Sequence, residues 1–216
     1  MARKTRRRFR KKFRIKAKTK KKIAKNSKIV IIVSCILLGL YICVDNNYEY
    51  ETITREDVKI EEEKFQFIKQ IEKGAKISYE KYGVLPSITV AQAILESGWG
   101  QSELTKDSNN LFGIKADDSW DGKVTEVITT ENYSDKVVAK FRKYNSLQDS
   151  IKDHAKFLKE NKRYEEGGLF LSDDYKEQAQ SLENAGYSTK KNESGESIYA
   201  DMLVDLIERY KLNLMD

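Results

Sequence analysis

Glu96 ends the run Pro86-Ser87-Ile88-Thr89-Val90-Ala91-Gln92-Ala93-Ile94-Leu95 and directly precedes Ser97-Gly98-Trp99-Gly100. From Ile88 to Leu95 nearly every position is apolar. The spacing predicts a short helix buried on most sides, with Ser87 as its N-cap after Pro86. A carboxylate at the last turn of such a helix loses water and meets the negative end of the helix dipole. Both effects disfavour the ionised form and raise its pKa. A carboxyl group that keeps its proton near neutral pH beside an aromatic wall is what a glycosidase general acid requires. The competing reading is a helix-terminal acid paired with a lysine.

Other chemistries find little to work with. Both cysteines, Cys35 and Cys43, fall inside the uncharged run 29–44, so the rest of the chain has neither disulfide nor thiolate. His154, in Ile151-Lys152-Asp153-His154-Ala155, is the single histidine. Ser-His-Asp hydrolysis would have to use it, and two-histidine zinc motifs are excluded. Its helical setting favours a packing or surface role. No metal and no cofactor is expected.

Positioning Glu96 falls to a set of mostly helical segments. Phe65, Ile68, Ile71, Ala75, Tyr79 and Tyr82 recur at helical spacing from about Glu63 until Gly83. Residues 109–115 read as a turn leading into a short extended piece. A β-hairpin is expected over 123–144, with Val124, Val127 and Ile128 on one arm and Val137, Val138 and Phe141 on the other. Glu131-Asn132-Tyr133-Ser134-Asp135 supplies its turn. Helical patterns return at 146–161, 173–185 and 195–211. The fold class expected is α+β, mostly α, in one domain over residues 63–216.

Charge gives this domain an address. Residues 1–28 hold sixteen of the 40 basic side chains and no acid, which leaves 24 basic against 34 acidic residues, net −10, for the remainder. Residues 29–44 carry no charge and cover roughly 24 Å as a helix, slightly under a bilayer's hydrocarbon core. A signal peptide would need a small-x-small cleavage site, which is missing, and a core helix would need a polar face. The expected organisation is a basic cytoplasmic tail (1–28), a transmembrane anchor (29–44), a polar extracytoplasmic linker (45–62) and the domain. The positive-inside rule sets that orientation. Directly ahead of an anchor, the basic tail suits topology and anionic headgroups better than nucleic acid, which is not expected as a partner.

The segments AILESGWG, NNLFGIKA, FRKY and NAGYSTK, in this order, resemble bacterial peptidoglycan glucosaminidases of glycoside hydrolase family 73. That family includes the wall-hydrolase domain of flagellar rod-assembly proteins, and the resemblance covers about residues 64–212. It implies a lysozyme-like fold, with a helical lobe and a β-hairpin flanking a groove. The activity implied is hydrolysis of the β-1,4 bond between N-acetylglucosamine and N-acetylmuramic acid in glycan strands. Glu96 matches the family's general acid. Glu131 matches a position where the family often has its second acid, with Glu126 as competitor. On a strand their separation of five puts the two on opposite faces, so only one can face the groove.

Tyr187 matches a tyrosine placed near the acid, able to bond an N-acetyl group; a satisfied core tyrosine is the alternative. Trp99 reads as a pocket wall and fold element. Trp120, Phe112 and Tyr144 are candidate groove aromatics, although core packing explains the last two equally well. Asn110 is expected to shape the turn beside Glu96. Two further readings stay open: a muramidase or lytic transglycosylase on the same fold, and a non-catalytic wall-binding scaffold of an envelope-spanning apparatus. A recruiting envelope complex fits any of them.

Overall fold

The structure, a computed structural model, describes residues 54–131 and 135–216, with the backbone alone described over 129–131 and 135–137. The basic tail, the uncharged run, residues 45–53 of the linker and the hairpin turn 132–134 lie outside the described residues. Among the described residues, no helix is long and apolar enough to cross a membrane.

Helix α1, Arg55–Tyr82, starts eight residues before the apolar periodicity does. Residues 55–62 are all exposed. They bury nothing and are helical because Arg55, Lys59 and three glutamates favour a helix, with pairs such as Lys59–Glu63 and Lys64–Glu61 at helical spacing. The buried stripe also departs from the expected one. It runs Phe67, Ile71, Gly74, Ala75, Ser78, whereas Phe65 is half exposed. Gly74 marks the closest approach of a neighbouring helix: a Cβ there would stand 2.0 Å from Gln148 Oε1.

That neighbour is α4, Leu147–Glu160, N-capped by the Ser146 hydroxyl, which accepts from the Asp149 N–H. Helix α2, Pro86–Ser97, forms the centre and buries ten of its twelve residues. Around it pack α1, α6 (Tyr175–Asn184), α7 (Tyr199–Tyr210) and a closing 3-10 turn, Leu212–Met215. Ser87 is not the N-cap. Proline takes the first helical position, Leu85 is the cap residue, and the Ser87 N–H donates to the Asp216 carboxylate at 2.8 Å. A carboxylate from the far end of the chain thus satisfies the helix start. Two short helices, α3 (Glu103–Ser108) and α5 (Lys162–Glu166), link the larger ones; α3 is too short to show a periodicity.

Strands β1, Val124–Glu131, and β2, Asp135–Arg142, form one antiparallel hairpin, with Val124 opposite Arg142 and Glu131 opposite Asp135. Lys115 bridges to Phe141 on the other edge of β2, which is the extended piece expected after Asn110. Over the described residues the protein is therefore mostly helical with a small two-stranded sheet.

Candidate active site

Glu96 is the penultimate residue of α2. The helix stops at Gly98, and Gly98, Trp99 and Gly100 all take left-handed backbone conformations, with φ of 55°, 61° and 75°. Glycine fits the first and third of these. At Gly100 it is doubly required, because a Cβ would lie 2.7 Å from the Phe67 ring. The Ser97 hydroxyl donates to the Ala93 carbonyl and accepts from the Gly100 N–H, which ties the reversed turn back to the helix. The turn leaves the side chain of Glu96 exposed at the end of an otherwise buried helix.

Although the residue is exposed, the protein packed around its carboxyl removes enough water to raise the pKa above the ordinary carboxylate value. Two weaker influences oppose the rise. Tyr199 donates its hydroxyl to Glu96 Oε1 at 2.9 Å, and the positive charge of Lys190 favours the ionised form. Tyr199 in turn accepts from Gln92 Nε2 at 3.1 Å. With its oxygen occupied by the amide, the tyrosine has its one hydrogen directed at Glu96. Tyr199 is almost wholly buried at the start of α7, and burial pushes its phenol pKa far up, so it remains a donor.

Sequence reasoning missed Tyr199, which lies 103 residues from its partner. A signal was present in Gln92. A polar side chain amid an apolar run requires a hydrogen-bond partner, and at four residues before Glu96 it shares that residue's helix face.

Tyr187 stacks on Tyr199 with ring centroids 5.3 Å apart, and its hydroxyl lies 3.2 Å from His154 Nε2. Burial, with a smaller contribution from the charge of Glu96, holds its pKa well above the usual phenol value. Glu96, Tyr199, Tyr187 and His154 therefore form one contiguous cluster drawn from α2, α7, the segment after α6, and α4.

Glu126 and Glu131 separate as strand parity requires. By register Glu126 shares a face with the exposed Val124, Ile128 and Val138, and its carboxylate lies 3.9 Å from Lys140 Nζ. Glu131 has the register of Thr125, Val127 and Phe141, the half-buried face of the hairpin.

Burial corrects two of the candidate groove aromatics, Phe112 and Tyr144, and leaves Asn110 in its expected turn-shaping place. Asn110 is buried and spends its amide on backbone, donating to the carbonyls of Ile114 and Arg142 and accepting from the Ile114 N–H. Phe112 is buried with its ring stacked 3.7 Å from that of His154. Tyr144 is buried and donates to Asp153 at 2.7 Å. All three shape the wall from behind and present no open face to a ligand. Trp99 packs edge-on against Phe67 and Tyr210, in keeping with a fold element. Trp120 is half-buried, with its indole N–H on the Lys123 carbonyl and the Arg142 guanidinium 4.6 Å above its ring.

A hollow of about 330 Å³ lined by Gln66, Phe67, Gln70, Trp99, Gln101 and Leu147 lies beside the turn but does not include Glu96. The acid and its donor Tyr199, rather than that concavity, mark the site.

Comparison with known proteins agrees with this geometry. Residues 72–212 match the glucosaminidase family model, described as mannosyl-glycoprotein endo-beta-N-acetylglucosaminidase. The chain is 35% identical over 204 residues to the exo-glucosaminidase LytG of Bacillus subtilis, covering 91% of this chain and 69% of that protein. It is 36% identical over 152 residues to the peptidoglycan hydrolase FlgJ of Escherichia coli K12, covering 67% of this chain and 46% of that relative, so it spans under half of that protein's length. The catalytic domain of the autolysin Auto from Listeria monocytogenes superposes with a TM-score of 0.61 at 33% identity, covering 71% of this chain and 88% of that one.

Proposed function

The chain belongs to the glucosaminidase family, glycoside hydrolase family 73, and on that premise we propose that it hydrolyses peptidoglycan between N-acetylglucosamine and N-acetylmuramic acid with Glu96 as general acid. The observation that carries this reading is a carboxyl at the end of a buried helix, held by a buried phenol, whose pKa is raised by desolvation. Glu96 delivers its proton to the departing glycosidic oxygen. With Oε1 engaged by Tyr199, the transferable proton sits on Oε2.

Glu131 acts on the opposite side of the sugar, activating water or stabilising the oxocarbenium-like transition state. Its register on the half-buried hairpin face favours it over Glu126. Tyr187 bonds the substrate's N-acetyl group. Residues 29–44 anchor the enzyme with its domain outside the membrane, as the basic tail and uncharged run support. Cleavage is internal to the strand, in line with the family's description; a single-sugar product would instead mean action from chain ends, as the name of LytG states for that protein.

Mass spectrometry of walls digested with the full-length protein tests the reading. Fragments ending in N-acetylglucosamine are expected from the wild type and none from Glu96→Gln. Anhydromuramic ends would make the enzyme a lytic transglycosylase, and unchanged lysis by a folded Glu96→Gln protein would remove Glu96 from the chemistry.

A further inference from the structure

His154 has no acid–base task at the cleaved bond, yet it is the only histidine of the chain and is wholly buried. Its Nε2 faces the Tyr187 hydroxyl at 3.2 Å. Its Nδ1, equally buried, has no hydrogen-bond partner among the described residues. Desolvation lowers its pKa to about 3, so at neutral pH the ring holds one proton and two nitrogens compete for it.

The contacts decide that competition. A proton on Nδ1 would leave a buried N–H with no acceptor, which protein interiors rarely tolerate. A proton on Nε2 is donated to the tyrosine oxygen and leaves over only a bare lone pair, the smaller deficit. The second tautomer is the stable one. A phenol oxygen that accepts from the imidazole keeps its own hydrogen for another partner. Were the tautomer reversed, Tyr187 would spend that hydrogen on the ring and could offer a ligand only an acceptor, which an amide carbonyl cannot use.

Resting on the glucosaminidase reading, we propose that His154 is a positioning residue which, by donating through Nε2, fixes Tyr187 as a hydrogen-bond donor to the acetamido carbonyl of the sugar bound beside Glu96. The histidine touches no substrate. It sets the polarity of a hydroxyl that does, and its stack on Phe112 holds the ring at the required angle. A role also follows for Phe112, which supports the imidazole by stacking on its face.

Because the chain has one histidine, labelling its ring nitrogens with 15N in the full-length protein gives one assignable pair of signals. At pH 7 the expected spectrum has a protonated Nε2 and a bare Nδ1; a protonated Nδ1 overturns the proposal. Kinetics supply a second reading. His154→Phe keeps the stack and removes the donor, and kcat/KM should fall about tenfold, the worth of one hydrogen bond. His154→Gln returns an N–H near the position of Nε2 and should recover most of that loss. In a Tyr187→Phe background, His154→Phe should cost nothing further; an equal loss there means the histidine only supports the fold and overturns the proposal. If His154→Phe fails to fold, the tautomer measurement on the wild type still decides. A wild type that releases no N-acetylglucosamine ends would defeat the functional reading alone, whereas a protonated Nδ1 in an enzyme with those products defeats only this inference.

Discussion

At the scale of single residues, the site is a balance of opposed effects on one carboxyl. Desolvation raises the Glu96 pKa, while the Tyr199 hydroxyl and Lys190 restrain the rise. As general acid, Glu96 is competent while protonated, so kcat/KM must fall as pH climbs through its raised pKa. Tyr199→Phe removes a bond that favours the ionised form. The alkaline limb of the pH profile should therefore move to higher pH, with a lower plateau because the carboxyl is less well held. A limb that stays in place or moves down would show that the hydrogen bond does not act on the titrating group. Glu96 itself was legible in the sequence because a lone acid at the end of an apolar run is conspicuous. Tyr199 was not, because no local pattern reports a contact made by a separate helix across 103 residues.

At the scale of elements, the hairpin is joined to the helical body through its base. Arg142, at the end of β2, is buried and bonds Asp153 of α4 at 2.9 Å, and the Tyr144 hydroxyl donates to the same carboxylate. Asp153→Ala leaves a mostly buried guanidinium with, among the described residues, only the exposed Asp117 carboxylate, 3.3 Å away, for an anionic partner. A loss of about 3 kcal/mol in denaturant unfolding is expected, since stripping one member of a buried pair strands the other charge. A loss below about 1 kcal/mol would mean that water or Asp117 compensates.

The same elements mark where sequence reading succeeds. The hairpin was legible from alternation and turn residues, yet three of its apolar side chains, Val124, Ile128 and Val138, proved to face solvent, because alternation defines two faces without saying which is covered. The start of α1 was misjudged for the converse reason. Periodicity detects buried helix faces, and the first two turns of α1 are helical with no face to bury. Phe112 and Tyr144 fell on the packing side because residue type alone does not separate an aromatic that meets a ligand from one that backs the wall.

At the scale of the whole chain, charge is divided along the sequence. Past residue 28 the protein carries net −10, and anionic wall polymers should repel it rather than retain it. Fragment 45–216 is expected to stay in the supernatant when mixed with purified walls at low salt. Tight adsorption that salt reverses would contradict this and would point to a local basic patch that outweighs the net charge. On this reading, proximity to the wall comes from tethering and not from affinity.

The hairpin has one more consequence, which concerns time rather than position. Among the described residues its strands pair chiefly with each other, and the Arg142 end is tied to α4. A ribbon of two strands buries little between them, whereas α2 is buried along ten of its twelve residues and opens only when the whole core does. Glu96 therefore keeps the slow clock of the core. On the glucosaminidase reading, the acid holds its place from one glycan strand to the next.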